Sequence, residues 1–406
     1  MKCRICGSTN LKKFLSLGIT PLANSFLLES ELNNEEKKFP LEVCFCQICK
    51  LVQLTEVVPP ETMFRNYLYV SSTTATLKAH FMKMAEDISK EFNLGSQSVA
   101  VDVGSNDGLL LAGFQKIGVK SIGVEPASNL AKIANQNGLD TINDFFNEIS
   151  AMQIIKKAEN VDVVTATNVF AHVNNIRDFA KNVKTILNND GIFAIEIQYF
   201  VNTIEQMTFD NIYHEHLSYF TLTSLVNFFR LQGMEVFKAQ RINTHGGSLR
   251  VFVRMPDGNH MTDESIALLL NYEKNLGIDK FETLLKFAEK VYKARSDFIK
   301  YIKDIKSKGK TIIGYGAPAK ANTLLNFCGI GKESIDWIVE DNLLKQGLYG
   351  PGTHIPIVSP KMLDEKKPDY ILIFAWNFAD EILKKTKKYA GMGVKFIIPL
   401  PEPRIV

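Results

Sequence analysis

Tyr213-His214-Glu215-His216, within the stretch YHEHLSYF, sets two histidines and a glutamate side by side in a chain with 7 histidines in all. Zinc-protease pairs place histidines at i and i+4, because that spacing puts both on one helix face. His214 and His216 stand at i and i+2. On a helix they point to nearly opposite sides, and on extended chain they point the same way. No third ligand follows at a recognisable spacing, which disfavours a metal site and leaves acid–base work or a polar loop. Histidine titrates near neutrality and suits proton transfer, with Tyr213 and Glu215 able to orient or polarise partner groups.

The cysteines offer a different chemistry. Cys3-Arg-Ile-Cys6 and Cys46-Gln-Ile-Cys49 are two Cys-x-x-Cys turns, and five of the 6 cysteines lie in the first 49 residues. Two residues between thiolates let both sulfurs face one tetrahedral ion at about 2.3 Å, and four thiolates close its coordination shell. The expectation is structural Zn²⁺ stapling a small domain that has little core of its own. Cys44 is a rival ligand at poorer spacing. Cys328, alone in LLNFCGIG, reads as a buried apolar residue.

A third feature is the loop in VAVDVGSNDGLLL, a strand, a glycine turn and a helix start. Asp102-x-Gly104-x-x-x-Gly108 has the spacing of S-adenosylmethionine loops rather than Gly-x-Gly-x-x-Gly. Gly104 lets the cofactor's amino-acid part approach the main chain, and Asp102 can hold its ammonium. Glu125 ends the next strand 23 residues on, where an acid accepts bonds from ribose hydroxyls. Asn106, Gly108 and Asn168 complete the expected cofactor set. His172, beyond the strand ending at Asn168, would face the transferred methyl or its acceptor, since ligands sit at strand carboxyl ends in open α/β sheets.

The elements around these residues follow from periodicity. VAVDVG, SIGVE, VDVVTATNVF and GIFAIEIQYF are short, apolar and bounded by turn residues, so they read as strands. NLAKIANQNG and IRDFAKNVKTILNNDG read as the helices between them. That alternation predicts a doubly wound parallel sheet, and MEVFKAQRI and SLRVFVRM add an antiparallel edge. From Thr262 to Lys308 an amphipathic pattern predicts one or two helices. A second alternation, KTIIGYGAPAK, SIDWIVEDN, YILIFAWNF and KFIIPLP, predicts a smaller α/β domain. The expected organisation is a zinc-binding domain over 1–75, a methyltransferase domain over 76–258, and a helical connector with an α/β domain over 259–406.

At 406 residues more than one core is expected. A formal net charge of +3 gives no reason to expect a nucleic-acid stripe or a membrane surface. The N-terminus MKCRICGSTN lacks the apolar run of a signal peptide, and YILIFAW is far short of a bilayer span. A cytoplasmic protein is the expectation.

Cys-x-x-Cys followed by PLANSFL, then Cys-x-x-Cys-x-LVQL, DVGSNDG, NVFAHV, YHEHLSYF, HGGSLRV, GYGAPAKANTLLN and PGTHIPI, in order along the chain, resemble the S-adenosylmethionine-dependent nucleotide-sugar C-methyltransferases. The resemblance implies a zinc-binding first domain, a central methyltransferase domain and a C-terminal Rossmann-like α/β domain that helps hold the nucleotide sugar. It implies methyl transfer to C3 of a 4-keto sugar on a nucleoside diphosphate. By position in the motifs, His216 would be the base, with Tyr213, Glu215 and His172 close to the sugar. Tyr67 would reach in from the first domain, with Tyr69 the fallback. In the third domain, Gly316 and Lys320 could receive a pyrophosphate at a helix N-terminus, with Asn322 nearby, and Trp376-Asn377 could contact the nucleotide. Interdomain packing is the competing account of these residues. Two other function classes stay open: an NAD-dependent nucleotide-sugar epimerase or dehydrogenase using the third domain, and a non-enzymatic zinc-binding interaction protein.

Overall fold

The computed structural model describes residues 1–406 except Asn66 and His245; for Thr73 and Asn377 only the backbone is described. Three sheets organise the chain. Strands β1 (Leu11–Pro21), β2 (Lys38–Cys46) and β3 (Val52–Leu54) form an antiparallel sheet behind the first cysteine turn.

The central sheet uses β4 (Val99–Val103), β5 (Lys120–Val124), β6 (Thr141–Ile142), β7 (Val161–Thr167) and β8 (Leu187–Gln198) as parallel strands. Val101 and Val103 face one core with the helices Ile176–Ile186 and Leu222–Leu231. Ala100 faces the other, with the helices Ala75–Glu91 and Leu109–Lys116. Side chains that alternate along a strand must be covered on both faces, which is why the sheet is doubly wound. Leu187–Asp190, expected to close a helix, instead open β8, because Leu187 pairs with Val161.

A short strand, β9 (Ser218–Tyr219), leaves the central domain and pairs with β3 as the fourth strand of the N-terminal sheet. It follows the histidine cluster directly, so that cluster lies at the seam of two domains. The antiparallel edge then forms as β10 (Glu235–Ile242) and β11 (Ser248–Arg254), giving the order β10-β11-β8-β7-β4-β5-β6.

Two helices, Ser265–Leu276 and Phe281–Ser307, lead onward, separated at Gly277, whose φ of 65° ends the first. The C-terminal sheet contains β12 (Ile312–Tyr315), β13 (Ile338–Val339), β14 (Ile357–Val358), β15 (Tyr370–Ile373), β16 (Lys395–Ile398) and β17 (Arg404–Ile405). Its order is β14-β13-β12-β15-β16-β17, parallel except for the last pair. Leu284, Phe287 and Val291 of the long helix share one core with Leu15 and Val43 of the N-terminal sheet and Leu324 and Leu325 of the C-terminal domain. The first and last parts of the chain are thereby packed together. Among the described residues, no helix is long and apolar enough to cross a membrane.

Candidate active site

The metal centre is the most local part. Hydrogen bonds from Gly7 to the Cys3 carbonyl and from Lys50 to the Cys46 carbonyl close two tight turns. They bring the sulfurs of Cys3, Cys6, Cys46 and Cys49 within 4.8 Å of one another. Cys3 and Cys49 are 3.3 Å apart and Cys6 and Cys46 are 3.6 Å apart. A sulfur tetrahedron around an ion at about 2.3 Å has edges of about 3.8 Å, so the four ligands fit Zn²⁺. Amide groups of Ile5 and Cys6 point at the Cys3 sulfur, and those of Ile48 and Cys49 at Cys46. Cys44 stands outside the cluster, buried beside Met1, and burial pushes its thiol up to about 11. Cys328 is buried among apolar groups, as expected.

Arg4, inside the first cysteine turn, donates to the Leu54 and Leu217 carbonyls at 3.1 and 3.0 Å. Arg177 of the central domain donates twice to the Ile5 carbonyl. The zinc turn is thus clipped to the chain one residue beyond His216.

A cavity of about 720 Å³ opens at the carboxyl ends of the central strands. Its walls include Asp102, Gly104, Asn106, Glu125 and Asn168 from the glycine-loop end, and Tyr67, His172, Tyr213 and His216 from the other. Gly104 has φ +70°, and a Cβ there would meet Val169 Cγ2 at 2.2 Å; at Gly108, with φ +88°, it would meet Leu139 Cδ1 at 2.3 Å. Both positions therefore need glycine. Asp102 is buried and accepts from the Thr165 hydroxyl at 2.7 Å; burial raises its carboxyl to about 7. The Glu125 oxygens accept from the Asn106 and Ala127 amides at 2.8 Å each. Ser105 and Thr167 line this cavity, and their hydroxyl oxygens are buried with no hydrogen-bond partner among the described residues. Neither was anticipated, although each adjoins an expected residue.

The Tyr213–His216 segment is neither helix nor strand. His216 N–H donates to the Tyr213 carbonyl at 2.9 Å, closing a turn, and the two histidines separate. His214 packs buried against the Phe39 ring at 5.9 Å, away from the cavity wall, whereas His216 faces it. The His216 Nδ1 lies 2.7 Å from the Asn211 carbonyl oxygen. A carbonyl only accepts, so Nδ1 carries a proton, and in its neutral form the ring has its lone pair on Nε2. Four rings form a column: Phe64 stacks on His172 at 5.3 Å, His172 stacks on His216 at 5.1 Å, and Tyr213 lies tilted against His216 at 4.0 Å. Burial, and secondarily His216, hold His172 well below the ordinary histidine range, so it is neutral.

Glu215 points into the protein. Its oxygens accept from the Tyr67 hydroxyl and the Asn24 amide, both at 2.7 Å. Tyr67, rather than Tyr69, makes this bond; Tyr69 lines the cavity and its carbonyl accepts from Asn106 at 3.1 Å. Asn24, Asn211 and Phe64 were not legible as site residues. The first two act through partners far away or through a main-chain oxygen, which no residue type announces.

The third-domain residues do not line this cavity. Gly316 turns the chain after β12 with φ +85°. Lys320 is buried with Nζ 4.4 Å from the Trp376 ring centre, and Trp376 Nε1 donates to Asp210 at 2.9 Å. Asn322 is buried and donates to the Ala23 carbonyl at 2.7 Å. The Asn377 side chain lies outside the described residues.

Three family models tile the chain: a zinc binding domain over residues 3–64, a methyltransferase domain over 78–239, and a C-methyltransferase C-terminal domain over 243–401. The C-methyltransferase NovU of Streptomyces niveus is 35% identical over 405 residues, covering 100% of this chain and 96% of NovU. Among solved structures, magnesium protoporphyrin IX methyltransferase of Synechocystis covers 44% of this chain and 79% of its own, at 10% identity and TM-score 0.34. A methyltransferase of Aquifex aeolicus covers 43% and 97%, at 15% identity and TM-score 0.32. The chain belongs to the S-adenosylmethionine-dependent C-methyltransferase family.

Proposed function

We propose that this C-methyltransferase acts on C3 of a 4-keto sugar carried by a nucleoside diphosphate, with His216 as the base. The observation that carries the reading is the 2.7 Å contact between His216 Nδ1 and the Asn211 carbonyl, which leaves the basic lone pair on Nε2 of a ring in the cavity wall. A carbon nucleophile must first lose a proton, and a neighbouring ketone makes that loss accessible. His216 takes the C3 proton and becomes an imidazolium, whose Nδ1–H is already bonded. Neutral His172 and the Tyr213 hydroxyl supply N–H and O–H donors for the ketone oxygen as charge develops there. S-adenosylmethionine, when bound, supplies the methyl group as an electrophile.

Asp102 and Glu125 are the acids for its ammonium and ribose hydroxyls, Gly104 and Gly108 give the close backbone approach, and Asn106 and Asn168 shape the loop and strand end. Ser105 and Thr167 lie on the same wall. Glu215, bonded twice within the protein, holds Tyr67 rather than contacting substrate. The 1–75, 76–258 and 259–406 divisions describe the functional units, with the sugar's nucleotide reaching toward the third.

The test is incubation with methyl-labelled S-adenosylmethionine and a panel of nucleoside-diphosphate sugars with and without a 4-ketone. The expected product carries one new carbon-bound methyl at C3 of a 4-keto sugar. Methyl on oxygen or nitrogen, or equal turnover of sugars lacking the ketone, overturns the reading.

A further inference from the structure

Three segments that do not line the cavity are PLANSFL near the N-terminus, GYGAPAKANTLLN after the long helix, and the Trp376 segment after β15. They meet one another. The helix Ala319–Cys328 opens directly after the Gly316 turn and is buried along most of its length. Its Asn322 amide donates to the Ala23 carbonyl at 2.7 Å. Its Lys320 lies over the Trp376 ring, and the Trp376 indole N–H donates to Asp210 at 2.9 Å. Lys320 and Asp210 also sense each other's charge, and both are buried. Phe327, near the end of the same helix, packs edge-on against Phe209 at 5.8 Å.

The positions that receive these contacts share a relation to the site. Ala23 immediately precedes Asn24, whose amide holds Glu215. Asp210 immediately precedes Asn211, whose carbonyl holds His216 Nδ1. The hydrogen bonds from Asn322 and Trp376 therefore each land one residue before a group that orients the turn.

We infer that Asn322 and Trp376 are positioning residues, which set the His216 tautomer and the Glu215–Tyr67 pair by holding the Ala23 carbonyl and the Asp210 side chain. This rests on the proposed role of His216. A base misaimed by about 1 Å loses on the order of a hundredfold in rate while the ligands still bind. The alternative for the same residues, direct contact with the nucleotide, makes the opposite kinetic forecast, because removing a uniform binding contact raises KM and leaves kcat.

The experiment compares the full-length zinc-loaded protein with Trp376→Phe and Asn322→Ala. Active sites are counted by S-adenosylhomocysteine titration. Phe keeps an aromatic ring for Lys320 while removing the N–H donor together with one ring of the indole, and Ala removes only the amide. We expect kcat and the exchange of the sugar's C3 proton with solvent deuterium to fall by on the order of ten- to a hundredfold. KM for the sugar nucleotide and S-adenosylhomocysteine affinity should stay within about twofold. In ¹⁵N-histidine spectra, with the His216 signal assigned by its absence in His216→Asn, Trp376→Phe should shift the ring from the Nδ1–H form toward a mixture. A raised KM with unchanged kcat, or unchanged kcat with an unchanged His216 signal, overturns the inference. Should the unmodified protein exchange no C3 proton, the sugar chemistry itself fails, and the spectra still decide whether Trp376 positions His216.

Discussion

His172 and His216 stack at 5.1 Å, yet their surroundings give them different work. His172 is neutral through burial, and a main-chain oxygen fixes the His216 tautomer. The cluster itself was legible because its residues are consecutive. Its wiring was not: Glu215 is held from Asn24 and Tyr67, which lie 191 and 148 residues away, and no local pattern records such pairings. Asp102 yields a pH prediction. Burial lifts its carboxyl to about 7, above the ordinary value near 3.9, so acidification protonates it in the empty protein. Only the carboxylate attracts an ammonium. Calorimetry should therefore find S-adenosylhomocysteine affinity rising with pH through about 7, by up to about tenfold per unit on the acid side. In Asp102→Asn that rise should be absent and affinity weaker throughout.

At the scale of elements, a strand–turn–helix records its own purpose. The expected strand–turn–helix is found at the end of β4, with Gly104 at φ +70° against Val169. Gly104→Ala would put a methyl group 2.2 Å from the Val169 side chain in a backbone region costly to alanine. The expected loss is about 1–3 kcal/mol from strain alone, with cofactor affinity lost as well, read by thermal unfolding and calorimetry. The turn after β12 carries a similar local signature. Its surroundings differ: Lys320 and Asn322 are spent on Trp376 and Ala23. Local sequence identified both turns, but what each faces depends on packing between distant segments. The same limit explains β9, whose two residues leave the central domain to extend the N-terminal sheet. A two-residue strand has no periodicity to read.

At the scale of the whole molecule, the segment from Asp210 to Leu217 is gripped from three sides. Arg4 of the zinc turn holds the Leu217 carbonyl, Asn24 holds Glu215, and Trp376 holds Asp210. Zinc should therefore matter to catalysis as well as to folding. Metal analysis should find one zinc per chain, retained in Cys44→Ser and lost in Cys49→Ser. Chelation should destabilise the protein by a substantial part of the ~10 kcal/mol that structural zinc sites supply, and lower turnover before the central domain unfolds.

The central claim is that His216 removes a proton from carbon before methyl transfer. The most direct measurement follows exchange of the C3 proton of a 4-keto sugar nucleotide into deuterium oxide, with S-adenosylhomocysteine in place of the methyl donor. The unmodified protein should exchange that proton. His216→Asn should bind S-adenosylhomocysteine as before and exchange slower by about 10²–10⁴-fold. Exchange at the normal rate in His216→Asn would contradict the account.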